Sequence, residues 1–274
     1  MSVQRTPGVM CQCQAGTPVG NGTLARVWST RSGPAGEGSS ALSAVNTIIR
    51  ALETQALVSM SWDDIKNAAE LARATEGARP ALSIGVTLSQ AVYAFAVQQV
   101  ATQYFHVREQ GANRGKDVEG ILSSAGGSPG NSWCAAFAFH CHREAADLLC
   151  ADTTCPRTTR AVFMIFDGRK AGNLTFPKKS VLDGSRTPMA GDVFAMVSNP
   201  VNVSMLNSGK TPTMLNGHAG LVVSYDASTQ TLTTIEGNTD SGGIEDGDGV
   251  YLRTDRMASP KLWGFMRPRP VWLS

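Results

Sequence analysis

The chain has 274 residues, a formal charge of +2 and 42% apolar residues, which suits one large or two modest globular domains and excludes disorder throughout. So small a charge, with no dense Lys/Arg stripe interleaved with aromatics, argues against nucleic acid as a partner. The most apolar window, residues 84–100, is interrupted by Thr87, Ser89, Gln90, Gln98 and Gln99, so a core helix is expected there and no membrane span.

Residues 1–40 are rich in Gly, Ser, Pro and Thr, a composition that predicts a flexible arm. Gln4, Arg5, Pro7, Gln12 and Gln14 break any continuous apolar segment of a secretory signal, so the expectation is synthesis in the cytoplasm without a signal peptide. A helical region is predicted over 41–105. Leu42, Val45, Ile48, Ile49, Leu52 and Leu57 recur at helical spacing. Ser61-Trp62-Asp63-Asp64 then reads as the cap of a helix running to Ala74, and a third helix is expected over Leu88 to Val107. The role expected of this region is packing or spacing.

Residues 106–274 read as a second unit. A loop at 109–115 and a short helix at 118–123 lead to the Pro129-Gly130 turn, after which an Ala-rich amphipathic run extends from Cys134 to Leu149. Residues 150–190 carry many Gly and Pro and read as irregular, with one apolar burst at 162–166 that suits a strand or a helix edge. After Gly191-Asp192 the apolar period becomes that of strands, at 193–197, 219–225, 231–235, 250–253 and 262–266. An antiparallel sheet following helices defines an α+β fold class. The segment 198–217 is long enough to border a groove.

Chemistry concentrates on Cys134. A cysteine in the first turn of a helix meets unpaired backbone N–H groups and the positive end of the helix dipole, and both stabilise a thiolate nucleophile. A thiolate of this kind needs an imidazole to hold its proton. His140 and His142 share the helix and lie roughly 9 and 12 Å further along its axis, too far to serve. His106, just before a loop, stays open. His218 has the better setting, because Gly217-His218-Ala219-Gly220 brings it from a long loop into a strand among small neighbours. Pairing about a turn near Ser228 would place His218 opposite Asn238 and diagonal to Glu236, on one face of the sheet.

The cysteines, at 11, 13, 134, 141, 150 and 155, lack paired CxxC spacing. Cys150 and Cys155 bracket a short loop and could bridge in an oxidising compartment, whereas Cys141 reads as a core thiol. Consecutive residues of a helix point apart, so His140-Cys141-His142 is not expected to hold a metal. The acidic stretch 240–248 lacks the alternating carboxylates of a calcium loop and reads as a solvated hairpin loop.

Trp133-Cys134-Ala135-Ala136-Phe137, then Gly191-Asp192 and an apolar strand, then Gly217-His218-Ala219-Gly220-Leu221-Val222, then Thr234-Ile235-Glu236-Gly237-Asn238, and finally Gly264-Phe265 with Arg267-Pro268 follow in order. Together with Glu109, Gly111, Asn113, Arg114 and Gly115 they resemble the CHAP family of cysteine- and histidine-dependent amidohydrolases and peptidases, over residues 106–270. The resemblance implies a papain-like fold, with Cys134 as nucleophile, His218 as general base, Glu236 as the orienting third member and Asn238 assisting. It implies no cofactor and no metal. Ser132 and Asn131 are candidates for a second oxyanion donor, and Trp133 and Asn113 for substrate contacts, although an indole beside a core helix more often packs than lines a groove. The substrate implied is bacterial peptidoglycan, cut at the muramoyl–alanine amide or within stem and bridge peptides. The alternative is a CHAP-like module that binds peptidoglycan without cutting it. Action at the cell wall or in the periplasm would then follow lysis or specialised secretion, as a lysin or as an antibacterial effector with a secretion apparatus and an immunity protein as partners.

Overall fold

The computed structural model describes residues 34–54, 58–76, 82, 86–213, 217–242 and 245–273. Helix α1 spans Pro34–Thr54 and α2 spans Trp62–Ala74. The first begins inside the stretch whose composition predicts a flexible arm; proline is well suited to a helix's first turn, where its missing N–H has no partner to lose. The rest of that arm, and Leu57, lie outside the described residues. Ser61 caps α2 as its sequence predicts, accepting a hydrogen bond from the Asp64 N–H at 3.1 Å.

Helix α3, Leu88–Gln103, is buried at every position from Leu88 to Ala101. It packs between α1 and α2 on one side and α5, Cys134–Leu148, on the other, so residues before and after 105 share one continuous apolar core. Helix α4 spans Lys116–Ser124. The region 150–190 is more ordered than its glycines and prolines suggest, holding β1 (Ala151–Thr153), α6 (Ala161–Lys170), β2 (Leu174–Pro177) and α7 (Lys178–Leu182). The apolar burst at 162–166 is helical, within α6. Both short strands find their partners far along the chain: β1 pairs with β8 (Pro270–Trp272) and β2 with β7 (Leu262–Arg267).

The main sheet has six strands in the order β2-β7-β3-β4-β5-β6, each pair antiparallel. Here β3 is Val193–Val197, β4 Gly217–Asp226, β5 Thr231–Thr239 and β6 Gly249–Arg253. Helix α8, Pro200–Ser208, occupies much of the segment between β3 and β4. The α+β class is therefore realised with the sheet covered on both faces. Ala195, Ala219, Leu221 and Ile235 face the helices and join the large core, while Phe194, Met196, Val222 and Phe265 form a second cluster on the other side. Among the described residues, no helix is long and apolar enough to cross a membrane.

Candidate active site

Cys134 is the first residue of α5, and no side chain caps the helix at Trp133. The first-turn N–H groups thus remain free of a side-chain acceptor and favour negative charge at the sulfur. The residue is only 3% exposed.

The hairpin β4–β5 carries its other members. Leu221 pairs with Ile235 and Val222 with Thr234, the register expected for a turn about Ser228; one irregularity between Val222 and Ser224 then shifts the outer pairs by a residue. The recorded ladder ends at Leu221–Ile235. Beyond it, His218 and Glu236 connect the two strands by a diagonal hydrogen bond, Nε2 to Oε2 at 2.8 Å, and both side chains are fully buried. Cys134 and His218 are near enough for each to shift the other's protonation. Nε2 serves Glu236 and Nδ1 makes no hydrogen bond, so Nδ1 is the ring nitrogen left for the sulfur.

Two glycines make this convergence sterically feasible. A Cβ on Gly237 would stand 2.6 Å from the Trp133 ring and 2.8 Å from Phe137, so β5 can lie against the start of α5 only without a side chain there. A Cβ on Gly220 would stand 2.7 Å from Phe194 and 2.8 Å from Glu236 Cγ. The small residues of these motifs mark places where backbone and side chains come close.

Burial opposes ionisation of the Cys134 thiol, but hydrogen bonding and charge from His218, with the backbone N–H groups of Ala219 and Ala135, outweigh it and hold the thiol below its ordinary range. Burial likewise disfavours the imidazolium. The bonds to Cys134 and Glu236 and their negative charges prevail, raising His218 to about 10. Glu236, despite its burial, is lowered to about 2 by His218 and Arg256. The site therefore favours a thiolate–imidazolium pair standing on a carboxylate.

Arg256 and Thr234 are site residues that sequence reasoning missed. Arg256 comes from a 3-10 turn, Arg256–Ala258, and reaches Glu236 through Nε at 2.8 Å from Oε1 and Nη2 at 2.6 Å from Oε2. The Thr234 hydroxyl donates to Oε1 at 2.5 Å. Thr234 lies two positions before Glu236 on the same strand face, a spacing visible in the sequence, whereas no local signal distinguishes Arg256 from any loop arginine.

Asn238 does not assist the imidazole in this arrangement. Its backbone is left-handed at φ 58, its Nδ2 donates to Asp246 at 3.1 Å, and its Oδ1 has no partner. The bond of His218 is diagonal, to Glu236, rather than straight across to Asn238. Nor can Trp133 line a groove: it is fully buried, packs edge-on against Phe137, and donates its indole N–H to Glu109 Oε1 at 2.8 Å. Glu109 Oε2 in turn accepts the backbone N–H of Asn113 at 2.7 Å, so this carboxylate fastens the 109–115 loop to the residue before Cys134. Asn113, half-buried at φ 55, lines an acidic cavity of about 480 Å³ with Glu109, Asp240, Asp246, Asp248 and Tyr251.

The remaining histidines are held elsewhere. His106 is exposed, 3.9 Å from Asp117. His140 meets the Tyr104 hydroxyl at 2.7 Å, and His142 meets that of Tyr93 at 2.9 Å. Burial pushes His142 down to about 3, which keeps it neutral. Cys155 is a free buried thiol and Cys150 is disulfide-bonded, so these two do not bridge each other.

Comparison of the chain with protein-family models, with curated proteins and with solved structures gives no match.

Proposed function

We propose that the protein is a cysteine hydrolase of the CHAP type that cleaves an amide bond in bacterial peptidoglycan. The observation that carries the reading is the meeting of Cys134, His218 and Glu236, from three separated stretches of chain, in the order thiol–imidazole–carboxylate. The ordered motifs supply the substrate class by resemblance. The Cys134 thiolate attacks the amide carbonyl carbon, and the N–H groups of the first turn of α5 face the developing oxyanion. His218, as imidazolium, gives its proton to the departing amine, and the C–N bond breaks to leave a thioester on Cys134. Water then attacks the thioester carbonyl, His218 takes its proton, and the thiolate leaves with the free acid released. Glu236 keeps the imidazole oriented and compensates its charge throughout.

The direct test is mass spectrometry of muropeptides after incubation with purified peptidoglycan, with Cys134→Ala as control. New amine and carboxyl termini produced by the wild type and not by the variant support the reading; equal release by both removes the thiol mechanism. The near-complete burial of Cys134 favours a second reading, a module that binds peptidoglycan without cutting it. Sedimentation with peptidoglycan and no released fragments would select it.

A further inference from the structure

We propose that Arg256 is a positioning residue for the catalytic base, holding the Glu236 carboxylate so that His218 keeps Nε2 on Glu236 and Nδ1 toward Cys134. This rests on the reading of Cys134, His218 and Glu236 as a nucleophilic triad. Three observations converge on it. Arg256 is 3% exposed although it is a cation on a short turn between strands, and such burial is expensive without a paired charge. Its guanidinium grips the carboxylate by its side, Nε spanning Oε1 and Oε2 at 2.8 and 3.0 Å and Nη2 reaching Oε2 at 2.6 Å. Nη2 also approaches the Thr239 hydroxyl at 3.3 Å, tying the fork to the end of β5.

The oxygen that Nη2 grips, Oε2, is the one that meets His218. A planar fork fixes the plane of the carboxylate, and with it the direction from which the imidazole N–H can donate. Thiolate, imidazolium, carboxylate and guanidinium then stand in a row of alternating charge. The charged groups that face this row are His218 on Glu236, and Asp255 and Glu245 on Arg256, with Asp255 Oδ2 4.0 Å from Nη1. His218 and Arg256 are the cations that hold Glu236 ionised, and removal of an opposite charge at this range raises a carboxylate by about 1–3 pKa units.

Alkylation of Cys134 by iodoacetamide tests the proposal without a substrate. The rate is followed from pH 4 to 9 by mass spectrometry of the Cys134 peptide in the full chain, for wild type, Arg256→Gln and Arg256→Lys. Loss of the guanidinium is expected to slow alkylation by up to about tenfold at pH 4, where the largest of these shifts leaves only about a tenth of Glu236 ionised to support the imidazolium, with recovery toward the wild-type rate above pH 7. Lysine restores the charge without the fork, so its alkylation profile should follow the wild type while peptidoglycan turnover stays reduced. If Arg256→Gln unfolds, the lysine variant decides alone: full turnover would overturn the proposal, and reduced turnover on an unchanged alkylation profile would support it. A folded Arg256→Gln protein with an unchanged profile also overturns it. Should the wild type release nothing from peptidoglycan, the Arg256→Gln alkylation profile still decides for Arg256, and only the substrate assignment fails.

Discussion

Asp192 and Arg267 stand at a sequence separation of 75 and meet through two parallel hydrogen bonds, Nε to Oδ1 at 2.7 Å and Nη2 to Oδ2 at 2.8 Å. Asp192 ends the turn into β3 and Arg267 ends β7, its neighbour in the sheet. The same aspartate accepts the Met189 N–H at 3.0 Å, and the Gly191 turn lies so close to α3 that a Cβ there would stand 3.0 Å from Ala94 Cα. The Gly-Asp and Arg-Pro motifs are thus two halves of one structural clasp.

Replacing Asp192 by Asn should break that clasp and leave the mostly buried Arg267 guanidinium without its anion. Removing one partner of a buried pair costs about 3–5 kcal/mol. Urea denaturation should show a lower midpoint at unchanged slope, while Cys134 alkylation in the folded fraction keeps its wild-type rate.

Gly237→Ala should act on both stability and chemistry. The added methyl group must displace Trp133 or Phe137, and overpacking of this kind costs about 1–3 kcal/mol. Because Glu236 and Asn238 flank the site of strain, peptidoglycan turnover should fall by more than the loss of folded protein measured on the same sample.

The pH dependence follows from the signs of the shifts. A thiol lowered from its ordinary value and an imidazole raised to about 10 keep the ion pair populated from below the normal thiol range up to about pH 10. Turnover should therefore rise with pH on an acid limb set below the usual thiol value, and fall as His218 loses its proton near pH 10. For stability, the raised His218 contributes fully below the unfolded histidine value of about 6.5 and loses that contribution as pH climbs through 10. Glu236, lowered to about 2, contributes above the unfolded value of about 4.3 and loses its share as pH falls toward 2. A stability–pH curve by urea unfolding, compared between wild type and His218→Ala, checks the alkaline arm.

Glu236→Gln and Asn238→Ala should separate the roles of these two polar residues near the end of β5. The first removes the acceptor of His218 and the counter-charge of Arg256, and turnover should fall about 10²–10⁴-fold. The second removes a bond to Asp246, so turnover should change by less than about threefold while thermal stability drops modestly. Comparable losses in both would return Asn238 to the imidazole's side.

Much of the site was legible because its determinants are local. A glycine turn before an amphipathic run marks the start of α5, and two-residue alternation about a polar turn places His218 diagonal to Glu236. Arg256 was not legible, since its role comes from the return of the chain after β6, which no short pattern encodes. The same holds for β1 and β2: each is too short to show a period, and each exists because of a strand near the carboxyl end of the chain. For Trp133 the sequence supports packing beside a core helix as well as a place in a groove, and the position of Glu109, which engages its N–H, decides for packing.

The burial of α3 from Leu88 to Ala101 limits how the chain can be shortened. Its Tyr93 hydroxyl serves the His142 ring of α5 and the Thr153 hydroxyl at 2.6 Å, and its Gln90 amide donates to the Pro268 carbonyl at 2.9 Å. A fragment starting at residue 106 would keep every member of the triad yet open an apolar trough along α5, and should be recovered as aggregate. The smallest unit that folds is therefore larger than the span of the motifs.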